Sequence, residues 1–415
     1  MTAEYTPDEE ELVTLTSDLL AFDTQNPPGD TRDIIEWIAA YLGEADIPST
    51  IIAEDPAKPN IVAQLPGKRP ERLLFLGHVD TVPYAENDWT FAPLGERVYD
   101  RVYGRGATDM KGPLAAMLSV FRFFAQSEEQ PPVTLELAAV SDEEIGGDAG
   151  LPAVLETDAI DPTACIVGET TCGGGRYSLS IADRGSIWMT LRATGEAAHG
   201  SRPMFGDNAI DRLYQAIEQI RTEVGNQAVP VPEAVEPIVA ESIEYYSNIV
   251  GEKEAAALFR TPTINLGTMT GGDAINSVPA DAVAELDIRV PPGTETTEIL
   301  DDLRVCIDGC EGIVVEDVSW SIGSYVDPDE PIVRSVVKTT ERVANVDLTR
   351  RSSTGGSDAK RLRNRGIPAI EFAFGTATVH GVDEYITTDA LAQNAAVYWA
   401  LPEAIANEWN EQSQT

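Results

Sequence analysis

Apolar positions recur at helical spacing over residues 8–22 and again over 31–47, where Ile34, Ile35, Ile38, Tyr41 and Leu42 fall on one face. Both segments are predicted as amphipathic helices. Short apolar runs follow at 61–65, 73–76, 133–140 and 164–167, with a helical stretch at 112–125 between the second and third. Strands alternating with helices predict a mostly parallel mixed sheet with helices on both faces.

The pattern breaks at Cys172-Gly173-Gly174-Gly175, which reads as a hinge. A strand at 186–193, a helix at 209–224, strands at 263–266 and 283–289, a helix at 296–307 and a strand at 314–321 then form an inserted α+β sandwich. The chain returns with a helix at 331–345, a strand at 369–374 and a last helix at 390–406. The expected division is one domain from 1–182 and 323–415 and a second from 183–322, with 230–254 as a loop or extra helix in the insert.

Composition narrows the partners more than the fold. With 415 residues the chain is long enough for two domains, and 43% hydrophobic and 24% charged residues are ordinary globular usage. The charge is not ordinary: 69 acidic against 29 basic residues leave a net charge of -40. Such a surface repels nucleic acid and anionic membranes and suits high salt, where screening shortens the repulsion. No basic stretch followed by an apolar run opens the chain, and no run approaches the roughly 18 apolar residues of a membrane span, so a cytoplasmic protein is expected. Cys306 and Cys310 lie one helical turn apart without a second Cys or His pair, and read as packing residues.

Only three histidines occur, each in a segment of glycine or small residues. Gly77-His78-Val79-Asp80 follows an apolar run directly, which places the imidazole at the carboxyl end of a strand, where open α/β sheets build their sites. A carboxylate two residues on can accept the other ring N–H and fix the tautomer, although an H-x-D is by itself also an ordinary turn. Gly104-Arg105-Gly106-Ala107-Thr108-Asp109 sets Asp109 before a helix, as a ligand, an N-cap or both at once. Ser141-Asp142-Glu143-Glu144 presents adjacent, diverging carboxylates at a strand end, which allows one to bind metal while the other handles a proton. Val167-Gly168-Glu169 and Thr378-Val379-His380-Gly381 repeat the arrangement.

Together these segments resemble the M20 metallopeptidases and deacylases, the group that includes acetylornithine deacetylase, succinyl-diaminopimelate desuccinylase, aminoacylase and glutamate carboxypeptidase. The resemblance implies two divalent metal ions, with zinc favoured and cobalt or manganese able to substitute. His78 and Glu169 would hold one, Glu144 and His380 the other, and Asp109 would bridge them. Asp80 becomes the partner of His78, Glu143 the general base, and Asp109-Met110 a candidate cis peptide. In the insert, Ala198-His199-Gly200 resembles the lid segment whose histidine serves the partner subunit's site, which implies a homodimer through the insert. Asn276 and Arg289 match polar substrate contacts, and Gly356 the glycine turn that lies against substrate. Thr170 stands where many relatives have proline, and 230–254 is longer than in compact members.

The activity implied is hydrolysis of an amide in an N-acyl amino acid, with a dipeptidase or carboxypeptidase of the same family as the alternative. A non-catalytic binding protein would have been free to lose a ligand, and none is lost. A two-metal phosphoesterase would need cations near the site, for which only Arg105 and Lys111 offer themselves.

Overall fold

A computed structural model describes residues 5–412; residues 1–4, where the N-terminal reading begins, and 413–415 lie outside them. The chain divides into two compact units, one of residues 1–181, 326–350 and 357–415, the other of 182–325 and 351–356.

In the first unit a mixed sheet runs in the spatial order Ser49–Ile52, Asn60–Leu65, Thr134–Val140, Arg72–His78, Ala164–Val167, Ala369–Glu371, Ser178–Asp183. The four strands from Thr134–Val140 to Ala369–Glu371 are mutually parallel, and the flanking strands are antiparallel. Thr134–Val140 is buried along its whole length, as expected of a strand covered on both faces. The helices Glu9–Leu20, Gly112–Gln126 and Thr388–Gln412 pack together, with Leu12, Leu19, Phe121 and Tyr398 fully buried. Tyr398 donates its hydroxyl proton to the Phe372 carbonyl, so this large side chain is buried with its polar end satisfied.

A second, smaller sheet escaped the sequence pattern. Its strands Glu96–Val98, Arg101–Tyr103 and Tyr385–Thr387 are only three residues each, too short for a period to register. Tyr103 pairs with Tyr385, and this pairing brings two loops distant in sequence, 104–109 and 380–384, side by side.

The glycine run is not a hinge. Gly173 and Arg176 exchange both backbone hydrogen bonds, and Gly174 and Gly175 have φ of 61° and 77°, so the run forms a two-residue hairpin turn. The strand after it, Ser178–Asp183, still belongs to the large sheet.

The second unit is an antiparallel sheet in the order Thr263–Gly271, Asp281–Val290, Gly185–Thr194, Ile313–Ser321. Helices Ala209–Ile220 and Thr296–Asp308 bury Leu213, Ile217 and Leu303 against Ile187, Leu191 and Ile288. Of residues 230–254, the first six are loop and turn, and the rest form helix, Glu236–Val250 and the start of Glu252–Arg260, which share a small core of Val235, Val239 and Phe259. Cys306 packs in the main core of this unit, and Cys306 and Cys310 are both free thiols. Among the described residues no helix is long and apolar enough to cross a membrane.

Candidate active site

The parallel strands end in register, and that register sets the site. His78 closes its strand opposite Val140, so the chain leaving Val140 carries Glu143 and Glu144 past the imidazole. Ala164–Val167 lies on the other side of the His78 strand and delivers Glu169 two residues beyond its end.

His78 is 2% exposed. Its Nδ1 lies 2.9 Å from the Asp80 carbonyl oxygen, an acceptor only, so Nδ1 carries the proton and Nε2 is turned towards the carboxylates. Nε2 stands 3.3 Å from Asp109 Oδ1 and 3.5 Å from Glu169 Oε1. On the opposite side His380 Nε2 lies 3.0 Å from Asp109 Oδ2 and 3.2 Å from Glu144 Oε2. Each oxygen of Asp109 therefore faces a different histidine. Ligand atoms of His78, Asp109 and Glu144 gather within 4.8 Å of one another, as do those of His78, Glu143 and Glu169. Imidazole nitrogen and carboxylate oxygen without a thiol are donors that suit zinc, cobalt or manganese, so the residues present fit divalent ions.

Asp80 lies against His78 as its spacing suggests, but its carboxylate has a further task. The backbone carbonyl, not the carboxylate, takes the His78 proton; the carboxylate Oδ1 is 3.6 Å away. That carboxylate instead accepts the backbone N–H groups of Glu143 and Glu144, each at 3.2 Å, and the Asn26 amide at 2.8 Å. It therefore fixes the backbone of the paired glutamates. Asn26 also donates to Asp142, which is ion-paired with Lys58. Asn26 and Lys58 gave no signal in the sequence, because a supporting hydrogen bond leaves no periodic trace, and Asp142 stood out only as a member of its acidic run.

Asp109 is not an N-cap. It lies before the helix Gly112–Gln126 with φ -136° and ψ 92°, and the Asp109-Met110 peptide is cis, as the resemblance implied. Arg105 and Lys111, the two cations that could have met a phosphate, are engaged within the protein. Arg105 pairs with Glu384, and buried Lys111 donates to the Phe22 carbonyl.

In the second unit His199 is exposed, with Nδ1 2.8 Å from the Ser201 hydroxyl. Asn276 and Gly356 are also exposed. Arg289 does not present an open fork: Nε and Nη2 donate to the two carboxylate oxygens of Asp287, two residues earlier on the strand.

Without metal, the charges of the site hold protons. Burial and the neighbouring Asp109 push the Glu169 carboxyl up to about 8. Hydrogen bonds to Asp109 and Glu144 raise His380 to about 10. Burial opposes the charged form of His78, but Asp109 and Glu169 outweigh it and hold the imidazole well above its usual value. Burial opposes ionisation of Asp109 too, yet His380 and His78 hold it well below the carboxylate range. Burial raises Glu143 well above that range.

A sheet of this topology ending in such a donor cluster defines a metal-dependent hydrolase. The chain belongs to peptidase family M20/M25/M40, whose family model matches residues 74–404. It is 27% identical over 408 residues to a probable succinyl-diaminopimelate desuccinylase of Staphylococcus epidermidis, covering 94% of this chain and 96% of that protein. Its fold matches an M20 family metallo-carboxypeptidase of Sulfolobus solfataricus with a TM-score of 0.77 at 19% identity, over 96% of this chain and 99% of that one. A dinuclear metal-binding M20 peptidase of Bacillus subtilis superposes at 0.62 with 15% identity, over 95% and 97%.

A pH dependence follows from the raised groups. A folded-state value above the unfolded one gives stability that is complete below the unfolded value and lost as pH rises through the folded one. For Glu169 and His380 that loss spans the rise towards about 8 and about 10. The metal-free protein is therefore expected to melt at lower temperature as pH rises to about 8; above that, Lys111, depressed by burial to about 7, works against His380. Affinity for divalent ions should rise over the same range, as fewer protons compete. Calorimetric titration in buffers of different ionisation enthalpy checks this through net proton release on binding, which should shrink as pH rises.

Proposed function

We infer that this chain hydrolyses the amide bond of an N-acyl amino acid or small peptide-like substrate with two divalent ions, as a deacylase of the desuccinylase type. The observation that carries the reading is Asp109, whose two oxygens lie 3.3 Å from His78 Nε2 and 3.0 Å from His380 Nε2. Glu169 accompanies the first histidine and Glu144 the second.

His78, Glu169 and Asp109 would hold one ion, and Asp109, Glu144 and His380 the other. Zinc is the proposed metal, with cobalt or manganese as substitutes. When bound, such ions polarise a carbonyl and make a water acidic near neutral pH. Glu143, held high by burial, takes the proton of the attacking water and passes it to the departing amine. The amide C–N bond breaks, and the products are a carboxylate and an amine. Asp80 fixes the backbones of Glu143 and Glu144 by holding both their N–H groups.

For the lid, we assign oxyanion stabilisation to His199 of a second copy, in a homodimer through the insert, and substrate contact to Asn276, Arg289 and Gly356. The exposure of His199 supports this role. An incoming carboxylate would have to compete with Asp287 for the Arg289 fork.

The relative named a desuccinylase favours a deacylase, and the structural match to a carboxypeptidase keeps peptide substrates on the panel. The purified protein, in high salt with zinc or cobalt, should therefore be assayed against N-succinyl and N-acetyl amino acids, dipeptides and nitrophenyl phosphate. Turnover of an acyl amino acid that a chelator abolishes and metal restores is the expected result. Silence across the panel despite two bound ions would leave a binding protein, and cleavage of the phosphate alone a phosphoesterase.

A further inference from the structure

His78, Glu169 and the Glu143-Glu144 pair sit at or just beyond the ends of neighbouring strands, where sheet pairing fixes them. Asp109 and His380 have no such support. Asp109 sits in an irregular turn, and His380 has φ of 60°, a left-handed conformation that is unfavourable for a residue with a Cβ. Its side chain is 49% exposed against 2% for His78, so packing constrains it far less.

One buried group joins these two segments. Glu384 is fully buried, and its Oε1 accepts the backbone N–H groups of Thr108 at 2.9 Å and Asp109 at 3.1 Å. Its Oε2 accepts the Gly106 N–H at 3.1 Å and Arg105 Nη1 at 2.7 Å. Arg105 Nη2 then donates to the His380 carbonyl at 3.2 Å. The Glu384 backbone carbonyl also accepts from Gly104 at 2.9 Å. A single carboxylate thus gathers the turn that carries Asp109, and its arginine partner anchors the backbone of the strained His380.

We propose that Glu384, acting through Arg105, is a positioning residue that sets the distance between Asp109 and His380, and so governs affinity at the His380 side of the metal site selectively. This rests on the two-ion reading above. Glutamine at 384 keeps the shape but turns an NH2 group towards N–H donors at one of its two ends, so about half of the clasp is lost and the Arg105 charge is left unbalanced. On the His78 side only Asp109 depends on the clasp, while His78 and Glu169 stay framed by sheet strands, so that side is disturbed less.

The experiment is titration of metal-free protein with cobalt(II), followed by calorimetry and by the visible absorption of the bound ion, for the unaltered protein, Glu384→Gln and Arg105→Lys. The expected result is two binding steps in the unaltered protein. In Glu384→Gln one step should be weakened about 10- to 100-fold, the usual cost of losing a group that supports a ligand, and the other changed little. Hydrolysis should recover as cobalt is raised, with KM unchanged. Arg105→Lys, which can pair with Glu384 but cannot fork to the His380 carbonyl, should weaken the same step by less. Equal weakening of both steps, or none, in a folded Glu384→Gln overturns the proposal and leaves the two-ion reading intact. If Glu384→Gln does not fold, Arg105→Lys decides by the same criterion. An unaltered protein that binds fewer than two ions overturns both.

Discussion

Replacing Glu143 with alanine is expected to lower kcat by about 10²- to 10⁴-fold, the range that a positioned acid–base group supplies, while both ions still bind. The dissociation matters because Glu143 lies close enough to His78 and Glu169 to be a ligand itself. A ligand and a base differ in what their removal costs. Loss of a base leaves the ions in place and slows proton transfer, whereas loss of a ligand empties a site. Metal content measured beside kcat on the same variant separates the two, and an emptied site would assign Glu143 to the metals. Asp80 fixes the backbones of both glutamates, and the distances favour Glu143 as the base. Of the two, only Glu144 lies within 4 Å of a histidine nitrogen.

Asp109→Ala is expected to be the more damaging change, since both of its oxygens are committed to different histidines. Its loss should weaken both ions together, by more than the roughly 10- to 100-fold that removal of a supporting group costs, and hydrolysis should fall below detection. The stabilisation that bound metal gives the folded protein should go with it. At a free metal concentration of about 100 Kd that stabilisation is about 2.7 kcal/mol, which reads as a rise in Tm on adding metal. The variant should show no such rise. A variant that still binds one ion with unaltered affinity would mean that Asp109 serves a single position and does not bridge.

The contrast with Glu384→Gln is instructive. Removing the bridge acts on both sides of the site alike, and loosening the clasp, which holds both Asp109 and His380, acts mainly on the His380 side. The physical difference is whether a group touches the ions or only fixes the backbone of one that does.

The sequence by itself determined the long elements and the strand-end residues. Burial on both faces demands unbroken apolar runs such as Leu73 to Leu76, and a parallel strand delivers the residues at its carboxyl end to one edge of the sheet, where sites are built. His78, Glu144 and Glu169 are legible for that reason. The amphipathic helices and the α+β insert are legible from their periods, 3.6 in one case and 2 in the other.

Only the tertiary structure decided the rest. The three-residue strands Arg101–Tyr103 and Tyr385–Thr387 have no period to read, yet their pairing brings Asp109 and His380 together. The glycine run 173–175 carries the same letters whether it is a hinge or a hairpin turn, and its hydrogen bonds alone distinguish them. Asp80 and Glu384 act through bonds to backbone groups, which every residue possesses, so no side-chain pattern marks their partners. Local chemistry selects the residues that can bind a metal, because donor type is a property of a side chain. Which donors meet, and what holds them, depends on contacts such as that between Arg105 and Glu384, 279 positions apart, and those exist only in the folded chain.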